Sequence, residues 1–207
     1  STVGIPVPGM DLDIVDEDGN QIRGNNGYLI IKQPWPAMTR GLLNDDERYL
    51  ETYWSKFENI WFHGDYVLAD EDNLWYMKGR ADDVINVSGH RMSTSEIEHT
   101  VISHNKISDA ASISIPDELT GEAIVVFFVP ENKNEVNLEA DIVEHINKKI
   151  GKIAKPKLIF QLSDLPKTRT GKIMRRLLKA KLTGNPLGDL SSLENPDILK
   201  EIDKFKI

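Results

Sequence analysis

The chain has 207 residues, 40% apolar and 28% charged, enough for one domain or two small ones with a self-sufficient core. Lys plus Arg is 25 and Asp plus Glu is 33, a formal charge of −8, which disfavours nucleic acid as a partner but leaves room for a local anion site. There is no cysteine, so disulfides, thiolate catalysis and cysteine-based zinc sites are excluded, and no apolar run approaches a membrane span.

The N-terminal stretch STVGIPVPGM lacks the basic start and apolar core of a secretory signal. It also lacks an initiator Met, so it reads as a start within a longer protein, and the expected location is the cytoplasm. The first eighty residues are β-rich. MDLDIV (10–15), the Asp-Gly turn of DEDGNQ and YLIIK (28–32) have the grammar of a hairpin. IWFHGDYVLA (60–69), DEDN and LWYMK (74–78) repeat it, and LLNDDERYLETYWSKF between them reads as a short helix or a loop.

After residue 82 the pattern changes. STSEIEHTVISH (93–104) predicts a helix, with Ser93 and Glu96 at capping-box spacing and Ile97 and Val101 on one face. AASISI (110–115) and AIVVFFV (123–129) predict strands. NLEADIVEHINKKIG (137–151) predicts a helix capped by Asn137, striped by Leu138, Ile142, Ile146 and Ile150 and stopped by Gly151. A strand over KLIFQL (157–162), a helix from Lys172 to Leu182 ending before Gly184, and a helix over 195–205 with Asn195 as cap and Pro196 at its first position complete the chain. The fold class is α+β: a β-rich lobe over 1–81, then a small α+β domain with a mainly antiparallel sheet over 82–207, the boundary falling in GRADDVI (79–85).

Four loops carry residues with chemical potential. Asp65 follows Gly64 between apolar strand residues, as an acceptor for two ribose hydroxyls or as a turn Asp serving backbone N–H groups. Arg80 lies just past a strand end and would otherwise pair with Asp82 or Asp83. Ser88, Gly89, His90 and Arg91 precede a helix start, a place that binds anions or is simply a capped turn. LPKTRTGKIMRR (165–176) holds Lys172 beside Gly171, Thr168 and Thr170; the P-loop template is absent, because Ile173 follows the Lys and no glycine precedes at the required position. A lysine on a glycine hinge can still act as a point charge against a developing anion.

Taken in order, FHGD, DEDNLWYMKGRADDVINVSGHRMSTSEIE and LPKTRTGKIMRR resemble the C-terminal motifs of the adenylate-forming enzymes, the superfamily of acyl-CoA synthetases, luciferases and adenylation domains. The resemblance covers the whole chain. WPAMTRGLLNDDERYLETYW (35–54) and NPLGDLSSLENP (185–196) resemble the acetyl-CoA synthetase branch. It implies an ATP-dependent, AMP-forming acid–CoA ligase acting on acetate or another short-chain acid, ATP, CoA and Mg2+. It further implies that Lys172 contacts the carboxylate and α-phosphate during adenylation and is a target of a protein acetyltransferase and deacetylase; that Asp65 and Arg80 hold the ribose and Arg91 a phosphate; that Ser88 and Gly89 approach the CoA pantetheine; and that Asp82 is a hinge about which the small domain rotates. Asn147 stands where this branch commonly has an Arg for the CoA 3′-phosphate, with Lys148 and Lys149 adjacent, and His63 stands where a Thr or Ser usually precedes Gly-Asp. Relatives carry a structural cation at positions matching Ile102, His104 and Ile107, at a helix end whose free carbonyls carry partial negative charge.

The phosphate loop and the adenine and acyl pockets of such an enzyme do not occur in the 207 residues, so the chain reads as its last third and is expected to be inactive alone. The alternatives are another acyl-CoA ligase, for propionate or a longer acyl chain, and a free-standing lid-type module serving as acetylation substrate or partner-binding unit.

Overall fold

In a computed structural model describing residues 2–132, 135 and 137–205, both turn signals of the first eighty residues become antiparallel pairs. Strand β1 (Leu12–Val15) pairs with β2 (Asn26–Ile31), and β3 (Trp61–Ala69) with β4 (Trp75–Arg80), giving a sheet in the order β1-β2-β3-β4. In each turn an aspartate collects backbone N–H groups: Asp16 accepts from Asp18 and Asn20, and Asp70 from Asp72 and Leu74. LLNDDERYLETYWSKF contains a helix, α1 (Asp46–Trp54), whose Asp45 cap accepts from the Arg48 N–H. One cluster gathers Ile14, Leu29, Val67, Ala69 and Trp75. Another packs Tyr49 and Ile31 on Trp61, with Tyr53 stacked on the indole at 4.3 Å.

The chain divides into two compact units, residues 1–82 and 83–207. A 3₁₀ turn spans Ala81–Asp83 at the joint. The second unit opens with a hairpin that the sequence reading lacked: β5 (Val84–Val87) and β6 (His90–Ser93), joined by Ser88-Gly89. Helix α2 (Thr94–Ile102) follows, with Ser93 as its cap accepting from the Ser95 N–H. Then come β7 (Ile107–Asp117), β8 (Gly121–Pro130), α3 (Glu139–Lys149), β9 (Leu158–Gln161), α4 (Arg175–Thr183) and α5 (Ile198–Ile202). The sheet runs β6-β5-β8-β7 with antiparallel neighbours, and β9 joins β8 in parallel.

Strand β8 explains the layering. Its residues alternate faces, and both faces are apolar, as expected of a strand covered on both sides. Ile124, Val126 and Phe128 face a layer containing Ile97 and Val101 of α2 and Ile142 and Ile146 of α3. Val125 and Phe127 face Leu177, Leu178 and Leu182 of α4 with Ile198, Leu199 and Ile202 of α5.

Three helix starts differ from expectation. Asn137 does not cap α3: it takes a left-handed φ of 60°, and Leu138 is the cap position, without a side-chain bond. Lys172 is not the start of α4, which begins at Arg175; the preceding segment is a tight hairpin closed by a Lys167–Ile173 bridge. Asn195 does not cap α5, which begins at Ile198, because its side chain is engaged elsewhere. For Asn195 a local capping bond lost to bonds offered by the 164–167 loop. The left-handed Gly184 (φ 73°) closes α4 as expected.

Candidate functional site

The residues singled out by the sequence lie in two groups, one on each unit. On the first unit, Asp65 and Arg80 are cross-strand partners on β3 and β4. Arg80 Nη1 lies 3.4 Å from Asp65 Oδ1, and its Nε donates to Asp82 Oδ1 at 3.3 Å. His63 Nδ1 approaches the other Asp65 oxygen at 2.8 Å. Gly64 takes φ +87°, and a Cβ there would meet the Arg80 guanidinium at 2.6 Å. The carboxylate is thus only partly exposed, flanked by two donors, with Arg80 and Asp82 at the rim of an open pocket of about 290 Å³.

The same pocket contains residues that the sequence reading missed. Lys56 places Nζ 4.0 Å from the Tyr28 ring centroid, with Phe57 and Phe62 beyond, and burial lowers its pKa. Tyr28 and Phe62 line the pocket beside His63 and Gly64. No spacing in the sequence connects Tyr28 on β2 with Lys56, which lies in the connection between α1 and β3.

On the second unit, Ser88 and Gly89 form the two-residue turn between β5 and β6, both with positive φ (51° and 83°). That is the primed turn whose twist suits a two-residue hairpin. The Ser88 N–H donates to the Thr120 carbonyl, and nothing lies within 4 Å of a Cβ built on Gly89, so the turn tip is open. Arg91 lies on β6 opposite Asn86, within the hairpin and not at the helix start; His90 is exposed beside it.

Lys172 is exposed in a hairpin turn whose own bonds define it. Thr168 N–H donates to the Lys172 carbonyl, Gly171 N–H to the Thr168 carbonyl, and Lys172 N–H to Thr168 Oγ1. Gly171 has φ +80°. No carboxylate pairs with the Lys172 ammonium among the described residues, so the charge is available.

Behind this hairpin lies an ion pair between a buried carboxylate and a half-buried guanidinium that the sequence reading also missed. Arg175 forks onto Glu98, Nε to Oε1 at 2.8 Å and Nη2 to Oε2 at 2.6 Å, and lies 3.7 Å from Asp83. Glu98 Oε1 also accepts from the Ser112 N–H, and Ser112 Oγ donates to the Thr94 carbonyl. The Glu98 bonds hold the Arg175 guanidinium above its already high pKa. The signal was present: Glu98 shares the buried face of α2 with Thr94, Ile97 and Val101, and a carboxylate there needs a cation.

Asn147 is half-buried on α3, and its Oδ1 is enclosed without a hydrogen-bond partner. Lys148 pairs with Glu144 at 2.5 Å. Ile102, His104 and Ile107 lie at the end of α2 and the start of β7. The His104 carbonyl accepts from the Ile107 N–H, and His104 Nδ1 from the Lys106 N–H. No group of three His, Asp or Glu side chains suited to a metal occurs among the described residues, so a cation there would be held by carbonyls.

Residues 96–172 match the model of the AMP-binding enzyme C-terminal domain. Acetyl-coenzyme A synthetases of Pyrobaculum arsenaticum and Methanothrix thermoacetophila are 46% and 41% identical over 98% and 97% of this chain, which spans 31% and 32% of their lengths. Among solved structures, the acetoacetyl-CoA synthetase of Streptomyces lividans has a TM-score of 0.86 over 98% of this chain and 31% of its own, at 24% identity. An anthranilate CoA ligase, AuaEII, bound to anthranoyl-AMP has a TM-score of 0.72 at 27% identity, over 86% of this chain and 33% of its own. No helix among the described residues is long and apolar enough to cross a membrane. The chain belongs to the adenylate-forming family through its AMP-binding enzyme C-terminal domain, and along its length it corresponds to the C-terminal part of acetyl-coenzyme A synthetases.

Proposed function

We propose that this chain supplies the C-terminal part of an AMP-forming acetate–CoA ligase. The single observation that supports this most is the exposed Lys172, unpaired among the described residues, on a hydrogen-bonded hairpin within a chain 46% identical to an acetyl-coenzyme A synthetase. In the first half-reaction the acetate carboxylate attacks the α-phosphorus of ATP, the acyl–phosphate bond forms, and pyrophosphate leaves with the electron pair. Negative charge grows on the non-bridging oxygens, and an ammonium there favours the transition state over the ground state. Asp65 accepts from the ribose hydroxyls, with Arg80 and His63 orienting its carboxylate. Arg91 contacts a phosphate.

In the second half-reaction the CoA thiolate attacks the acyl carbon and AMP leaves. The open Ser88-Gly89 turn leaves a path for the pantetheine chain, and Lys148 or Lys149 serves the CoA 3′-phosphate in place of the missing arginine at Asn147. Movement of the small unit about Asp82 exchanges the two faces. ATP arrives with Mg2+. Carbonyls of Ile102, His104 and Ile107, between the end of α2 and the start of β7, would hold a structural cation, the helix end carrying partial negative charge. The exposed Lys172 is a substrate for an acetyltransferase, which would remove the charge and stop adenylation. The cell compartment is the cytoplasm.

In the full-length ligase, Lys172→Ala is expected to lower acetyl-adenylate formation, read as pyrophosphate release, about a hundred- to thousandfold. Thioester formation from preformed acetyl-adenylate and CoA should survive. Equal loss of both half-reactions would overturn the assignment.

A further inference from the structure

We propose that Asn195 is a positioning residue for adenylation: its amide clamps the root of the Lys172 hairpin. This rests on the reading of Lys172 given above. The hairpin is short and its tip exposed, so the place of the ammonium depends on where the root is held. Both polar atoms of the Asn195 side chain serve that purpose. Nδ2 donates to Asp164 Oδ2 at 2.9 Å and to the Leu165 carbonyl at 2.8 Å, and Oδ1 accepts from the Lys167 N–H at 3.2 Å. The two donors and one acceptor fix which end of the amide is oxygen, because the reverse orientation would set the amide oxygen against a carboxylate and a carbonyl.

The segment around Asn195 reinforces the grip. Glu194 N–H donates to the Lys167 carbonyl at 2.9 Å, and Leu193, itself buried, bridges to Thr168. Lys167 Nζ reaches Asp109 on β7 at 2.8 Å and Asp164 at 3.2 Å, tying the incoming strand of the hairpin to the sheet. Arg176 donates to the carbonyls of Leu187 and Asp189, which holds the tail against α4. The tail is therefore a buttress for the loop, and Asn195 is the only residue in it whose side chain bonds to 164, 165 and 167 among the described residues.

A displacement of about 1 Å of a positioned group costs on the order of a hundredfold in rate. In the full-length ligase, Asn195→Ala should reduce adenylation about ten- to hundredfold while thioester formation from preformed acetyl-adenylate stays within twofold. Amide hydrogen exchange at Gly171 and Lys172 should speed up by at least tenfold, with that of β8 unchanged. Equal loss of the two half-reactions, or unaltered adenylation beside a working Lys172→Ala control, would overturn the inference. If Lys172→Ala itself leaves adenylation intact, the reading of Lys172 fails, and exchange at Gly171 and Lys172 then decides the clamp alone: unchanged rates sink it.

Discussion

Glu98 and Arg175 are 77 positions apart, and together they tie α4 to α2 and β7. Breaking a buried pair leaves an uncompensated charge, which costs about 3–5 kcal/mol. Glu98→Ala should therefore lower the unfolding free energy, read from urea denaturation, by an amount in that range; a change below about 1 kcal/mol would show the pair to be dispensable. His145 adds a pH-dependent contribution to the stability of the same unit. Burial, then the nearby His104 and Lys149, hold its pKa below the usual 6.5. The unfolded chain therefore binds the proton more readily, so stability is full above pH 6.5 and is lost as pH falls through that value towards the folded pKa. The melting temperature should drop between pH 7 and 5, and His145→Gln should flatten that part of the profile.

At the scale of elements, small backbone irregularities place the side chains. Near the β3–β4 turn Ala69 faces Trp75 and Val67 faces Met77, a register that would set Asp65 opposite Gly79. A bulge beyond Val67 inserts one residue and brings Arg80 there instead. The two strands and their turn were legible in the alternation of WFHGDYVLA; the bulge, beside the positive-φ Gly79 (φ 120°), was not, because register depends on the partner met across the sheet. The β5–β6 hairpin was legible in principle from Ser-Gly between two strand-like runs, but four-residue strands carry too little periodicity to separate from a cap. Gly89→Leu forces a side chain into positive φ, at roughly 1–2 kcal/mol, and fills the open turn tip. Adenylation should remain near normal and thioester formation fall sharply; the reverse pattern would remove the turn from the CoA path.

At the scale of the whole molecule, four hydrophobic clusters among the described residues each draw on one unit: Ile14 to Trp75 in the first, and Ile85 to Ile202 in the second. Residues 83–207 should thus fold alone, and limited trypsin digestion should cut first after Arg80 or at the exposed Arg169 and Lys172 of the hairpin. Cleavage spread through β7 and β8 would count against two self-sufficient units. A circular-dichroism melt of the isolated 83–207 segment should be cooperative.

The order of strands and helices apart from the β5–β6 hairpin, the strand over AIVVFFV and the change of pattern near residue 82 were determined by the sequence, because alternation and 3.6-residue stripes are local properties of the chain. The sequence also marked Asp65, Arg80, Gly89 and Lys172, through turn and glycine chemistry at fixed spacing. Only the tertiary structure decided the partners. Asn195 left its capping role for the 164–167 loop, Glu98 found Arg175, and Asp65 met Arg80 through a bulge. In each case a polar group chose among several available hydrogen bonds. That choice depends on which backbone the packing of a distant element brings within 3 Å, and nothing in the neighbouring residues records it.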